Sequence, residues 1–186
     1  RNTVMAVPLV QEVVAKEPLL NMKQKLILIG LCLLWANGFS QTSIKDVLNK
    51  FNDNAVPYIT VDELTELKTQ PILLDAREPA EYNISHLENA ITVGFNDFEI
   101  SKVASLKIEK DKMIVVYCSV GVRSEIIGKQ LLNKGYTSVF NLYGGIFDWV
   151  NKDGEIFNNL KEPTSKVHIY SKPWDTYLLK GIKVYE

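Results

Sequence analysis

With 186 residues, 46% of them hydrophobic and 23% charged, the chain is long enough to bury one ordinary core and carry extensions. Its formal net charge is -1 and it holds no dense run of Lys and Arg, which argues against a nucleic-acid partner.

Met22, Lys23, Gln24 and Lys25 make a short basic start to a mostly apolar run over residues 26–35. Gly38 and Ser40 then offer the small side chains that a signal peptidase reads. Residues 22–40 therefore have the layout of a secretory signal peptide, with cleavage expected after Ser40. The apolar run falls short of the ~20 residues that a comfortable transmembrane helix needs. Export to the periplasm or the medium is expected, with no stable membrane anchor; an uncleaved anchor is the competing reading. Residues 1–21 precede this signal without a methionine and are expected to be a non-native or misassigned leader, translation starting at Met22. Removal of the signal takes Cys32 with it and leaves Cys118 as the single thiol. In an exported protein such a cysteine is either an inert buried group or a free reactive one.

Residues 41–57 form a leading helix and linker, since Ile44, Val47, Leu48 and Phe51 fall on one side of an amphipathic turn. Tyr58 and Ile59 predict a brief strand. Thr60 and Glu63 have capping-box spacing and open a helix through Leu67. Residues 71–75 read as a buried strand ending on Asp75, residues 90–93 as a third short strand, and residues 95–106 as a helix. Residues 113–117 and 138–142 complete the strands, with a helix over residues 124–134 between them and Gly135 as its cap. Apolar runs alternating with helices imply an α/β fold, a central parallel β-sheet flanked by helices on both faces. Ligands of such sheets sit outside the carboxyl ends of the strands, where both Asp75 and Cys118 fall. Residues 153–186 are polar with scattered aromatics and are expected to extend from the domain and pack on it or over its cleft. His168 and Trp174 there are isolated, and no cluster with metal-ligand spacing occurs, so no cofactor or metal is called for.

Cys118 stands where a buried strand turns into a helix, ahead of Ser119, Val120, Gly121, Val122, Arg123 and Ser124. A helix N-terminus carries roughly half a positive charge and unpaired N–H donors, so it favours an anion. Such a site lowers a thiol's pKa from about 8.5 and makes the thiolate a nucleophile. A buried structural thiol is the alternative.

Three ordered motifs carry a family resemblance. Leu74-Asp75-Ala76-Arg77-Glu78-Pro79-Ala80-Glu81-Tyr82, followed by His86 and Ala90, resembles the first motif of rhodanese-like domains. Val115-Val116-Tyr117-Cys118 through Arg123-Ser124 resembles their active-site loop, and Gly135-Tyr136, Val139, Leu142-Tyr143-Gly144-Gly145-Ile146 and Trp149 their closing motif. The resemblance covers residues 58–152 and implies a rhodanese-like fold with sulfurtransferase chemistry. Cys118 would take a sulfane sulfur from a small anionic donor such as thiosulfate as a persulfide. Cyanide or a thiol, including a thiol-bearing protein, would then remove it, through the ping-pong sequence of covalent catalysis.

Within that resemblance, the amides from Ser119 to Ser124 would hold the sulfur's charge. Arg123 would contact an oxyanion or brace the loop, and Ser124 would cap the helix or touch substrate. Asp75, Arg77 and Glu78 would form a supporting network, and His86 would be structural. Four residues separate Cys118 from Arg123, whereas phosphatase relatives have one more; a phosphatase or arsenate reductase is therefore disfavoured. A carrier that holds sulfur or an anion without turnover remains the other alternative. Where many members have Gly-His-Ile-Pro-Gly-Ala this chain has Ser85-His86-Leu87-Glu88-Asn89-Ala90, a change that bears on a turn and not on the nucleophile.

Overall fold

The computed structural model describes residues 43–185; the signal-like segment and the leader ahead of it lie outside the described residues. Helix α1 (Ile44–Phe51) opens on Ser43, whose hydroxyl accepts from the Asp46 N–H while the Asp46 carboxylate accepts from the Ser43 N–H. After β1 (Tyr58–Ile59), Thr60 and Glu63 form the expected capping box on α2 (Val61–Thr65). That helix stops two residues short of the predicted Leu67.

The remaining elements of the sheet region follow in alternation: β2 (Ile72–Asp75), α3 (Pro79–Ile84), β3 (Ile91–Thr92), α4 (Ile100–Ser105), β4 (Ile114–Tyr117), α5 (Val122–Asn133), β5 (Val139–Leu142) and α6 (Gly145–Asn151). The five strands form one parallel sheet in the order β1-β5-β4-β2-β3. Strand β4 is buried at every position, as a central parallel strand requires. Its side chains alternate between two apolar clusters. Val115 and Tyr117 pack with Leu64, Ile146 and Phe147 on one face, and Ile114 and Val116 with Val103, Ile127 and Leu131 on the other. Helices therefore cover both faces of the sheet.

The helix expected over residues 95–106 is confined to α4. Residues 95–99 form a turn instead, because Asn96 gives its N–H to the Glu78 carboxylate (3.0 Å) and Phe98 bonds back to the Phe95 carbonyl (3.3 Å). Helix α5 begins at Val122, two residues earlier than expected, because Gly121 takes a left-handed conformation (φ 115°) that turns the chain straight into the helix. Asn89, in the turn that departs from the family pattern, also has a positive φ (58°). Asparagine is among the side chains that tolerate this region, so the turn forms without glycine.

Beyond α6 the chain forms two small ladders. Strands β6 (Ile156–Phe157) and β7 (Pro163–Thr164) pair antiparallel, and β8 (Lys166–His168) pairs parallel with β9 (Ile182–Val184). A 3-10 turn, Lys172–Tyr177, lies between the last two strands. Val167, Ile169 and Leu178 from this segment are buried in the same cluster as Ile146 and Phe147.

Candidate active site

The chain leaves β2 towards β3 and leaves β4 towards β5, in opposite directions across the sheet. Between these two strands lies the topological switch point, where open α/β sheets bind their ligands. Asp75 and Tyr117 are partners in the β2–β4 register, and Cys118 follows immediately. The two strand ends thus meet at one crevice.

Backbone hydrogen bonds shape the loop after β4. The Cys118 and Ser119 carbonyls accept from Ile146 (2.9 Å) and Phe147 (3.1 Å), free N–H groups of the first turn of α6. The Gly121 carbonyl accepts from the side-chain amides of Asn52 and Asn141, both at 2.9 Å. These tethers fix the loop around the sulfur. The Gly121 N–H donates to Cys118 Sγ at 3.1 Å. Gly145 makes the approach of α6 possible: a Cβ there would lie 2.2 Å from the Cys118 carbonyl oxygen, and its φ is 55°. Gly145→Ala must push two backbones apart and adopt a strained conformation, for a destabilisation of about 3 kcal/mol or more. A thermal melt should show the midpoint falling by about 10 °C; a variant melting with the parent protein would refute the close approach.

Burial opposes ionisation of the Cys118 thiol, but the Arg123 charge and the hydrogen bonds from Ser124 and Gly121 outweigh it and lower its pKa. The Ser124 hydroxyl lies 3.6 Å from the sulfur and only 2.7 Å from Asn141 Oδ1, so its single proton goes chiefly to the amide. Asn141 is fully buried and also donates to Glu125 Oε2 (3.2 Å), whose other oxygen accepts from the Ala55 N–H (2.9 Å). This network locks the loop from behind.

Arg123 is not a free cation. Its two terminal nitrogens hold Glu81 in a fork at 2.6 and 2.8 Å, and one of them also donates to Ser119 Oγ at 3.0 Å. Burial penalises the Glu81 carboxylate, yet Arg123 more than compensates and holds its pKa down. The ring of Tyr170 covers the guanidinium at 4.8 Å. Bracing of the loop is the contact observed for Arg123, and Glu81 is its partner.

Asp75 and Arg77 form a fully buried ion pair, with Nη2 to Oδ2 at 2.6 Å and Nε to Oδ1 at 3.0 Å. Arg77 also reaches the Ser85 carbonyl. Glu78 stands apart from this pair and anchors the Asn96 N–H. His86 is stacked on Tyr82 (centroids 3.9 Å apart) and bonded to its carbonyl, outside the crevice.

A cleft of about 130 Å³ opens over the loop, with Cys118, Ser119 and Val120 at its base and Val122, Arg123, Phe95, Tyr170 and Trp174 around it. Cys118 is only 1% exposed, so a reactant meets its sulfur through this opening. Glu81, Asn141, Glu125, Phe95 and Tyr170 were given no site role from the sequence, and Trp174 was weighed only as an isolated side chain. Asn141 had a readable signal, a polar side chain inside a buried parallel strand; Glu81 sits on a short helix whose pattern resembles a solvated surface. Among the described residues, no group of three or more His, Cys, Asp or Glu could hold a metal ion.

The domain is thus an α/β fold with a thiol of lowered pKa, bonded by the Gly121 N–H, at the switch point of its parallel sheet. A model of the family described as the rhodanese-like domain matches residues 60–152, and the chain belongs to that family. Among curated relatives, the tRNA uridine(34) hydroxylase of Yersinia enterocolitica is 33% identical over 107 residues, 55% of this chain and 31% of its own length. That of Photorhabdus laumondii is 33% identical over 103 residues, 53% of this chain and 29% of its own. The chain thus spans about a third of these relatives. Among solved structures, the rhodanese-like domain of an Anabaena protein aligns with a TM-score of 0.50 at 23% identity, over 57% of this chain and 82% of that one. Thiosulfate sulfurtransferase from Pseudomonas aeruginosa aligns with a TM-score of 0.51 at 24% identity, over 57% of this chain and 21% of that one. These structural likenesses establish the fold.

Proposed function

We propose that the protein is a sulfurtransferase in which Cys118 carries a sulfane sulfur as a persulfide. The observation that supports this reading most is the Cys118 sulfur, held at 3.1 Å by the Gly121 N–H, with its pKa lowered, at the base of a cleft. With thiosulfate as the simplest donor, the thiolate attacks the outer sulfur. The new Sγ–S bond forms as the donor's S–S bond breaks, and the electron pair leaves on sulfite. Cyanide or a thiol then attacks the outer sulfur and returns Cys118 to its thiolate. The persulfide anion keeps the same negative charge, so amides fixed in advance serve both half-reactions without rearranging. Phosphate-ester or arsenate chemistry is disfavoured: four residues separate Cys118 from Arg123, and Arg123 is already engaged by Glu81.

The protein incubated with thiosulfate should gain the mass of one sulfur atom on Cys118 and release it to cyanide as thiocyanate. Persulfide without thiocyanate would mark a carrier. Hydrolysis of a phosphate ester without sulfur uptake would overturn the reading.

A further inference from the structure

We propose that the sulfur handled at this site rides on a ring-sized apolar body bearing a single negative charge, and that Tyr170 and Trp174 select it. This rests on the sulfurtransferase reading and narrows its substrate class. Phe95, Val120, Val122, Tyr170 and Trp174 wall the cleft with hydrocarbon and aromatic surface. Its volume of about 130 Å³ is close to the ~150 Å³ of an apolar protein cavity that takes up benzene. Among the described residues lining it, Arg123 alone carries a permanent charge, and the Glu81 fork offsets that charge from behind. Thiosulfate, a dianion with no apolar surface, is small enough to reach Cys118 but gains nothing from the rings, so it is a slower donor here than an aromatic monoanion.

The position of Tyr170 is itself costly. It sits at the centre of a three-residue turn closed by the Ser171 N–H on the Ile169 carbonyl (2.8 Å), with φ 68°. That is the rarer, strained form of the γ-turn, in a region bulky side chains seldom adopt. Strain of this kind concentrates at ligand clamps, and here it sets the phenol ring over Arg123 at the cleft wall. Trp174 is supported in turn by the ring of Tyr177, 5.8 Å away. Both Tyr170 and Trp174 lie beyond residue 152, where the family match ends, so the specificity belongs to this chain's own C-terminal segment.

Benzenethiosulfonate and methanethiosulfonate carry the same single charge and the same sulfane sulfur, and differ in apolar bulk. In either case the Cys118 thiolate takes the outer sulfur, the donor S–S bond breaks, and the electron pair leaves as the sulfinate. After correction for each donor's rate with a free thiol in solution, kcat/KM should favour the benzene compound by at least about tenfold. Trp174→Ala and Tyr170→Asn should each bring that ratio towards one; asparagine is among the residues most often found at positive φ, so the second variant removes the ring with little added strain. A ratio near one in the parent protein, or one that survives both substitutions, overturns the proposal. Calorimetric titration of benzenesulfinate into the resting protein reads the cleft without turnover. Binding weakened in both variants supports the proposal, and no binding overturns it. If benzenesulfinate binds while no donor loads Cys118, the cleft assignment stands and the sulfur-transfer reading is the one that fails.

Discussion

Replacing Cys118 with serine is expected to abolish sulfur uptake and thiocyanate formation while leaving the fold in place. A hydroxyl in the same position can still accept the Gly121 N–H that reaches Sγ at 3.1 Å, so the loop keeps its hydrogen bond. What it cannot do is ionise near neutral pH or form a persulfide. Loss of a covalent nucleophile removes the reaction path, so the rate should fall by at least about a thousandfold. The melting temperature should change little, because the carbonyl tethers from Ile146, Phe147, Asn52 and Asn141 do not involve the sulfur. Intact mass and a thiocyanate assay on the variant check this, and residual transfer would remove Cys118 from the mechanism.

Asp75→Ala should be the most destabilising of the single substitutions at the sheet. Asp75 and Arg77 are both fully buried, and burial works against the Arg77 charge, which Asp75 outweighs to raise its pKa. Removing the carboxylate strands the guanidinium in the core, at a cost of about 3–5 kcal/mol. Arg77 Nη1 finds no hydrogen-bond partner among the described residues even with Asp75 present, so the arginine is an expensive neighbour once its anion is gone. Adding Arg77→Met to Asp75→Ala should recover much of the loss, since replacing both partners with apolar groups is often nearly neutral. Chemical denaturation of the two single variants and the double variant measures the coupling. Additive losses would mean that the pair does not act as a unit. Because β2 lies beside β4 in register, this pair stands next to the strand that delivers Cys118.

The strands and their parallel alternation were legible because burial on both faces writes nearly continuous apolar runs, as in residues 114–117. The capping box at Thr60 and Glu63 was equally plain, since it depends on local spacing alone. The helix over residues 95–106 was overestimated because its apolar spacing is helical, while the turn at Asn96 is fixed by Glu78, which lies 18 residues earlier. The place of Cys118 between strand and helix could be read from strand, thiol and helix in succession. Arg123 could be placed near the sulfur but not paired: its partner Glu81 lies 42 residues away, in another motif. Tyr170 and Trp174 were visible only as scattered aromatics, because their place at the cleft depends on how a segment with little periodicity folds back over the sheet.

The direct test of the sulfur's state is a titration of Cys118 followed by the ultraviolet absorbance of its thiolate. Burial alone would raise the midpoint, and the Arg123 charge with the Ser124 and Gly121 hydrogen bonds brings it down. A midpoint below the ordinary thiol value of about 8.5 is expected, with reactivity rising as pH climbs through it. Arg123→Ala should move that midpoint upward. A midpoint at or above the ordinary value in the parent protein would contradict an anionic sulfur held ready for transfer.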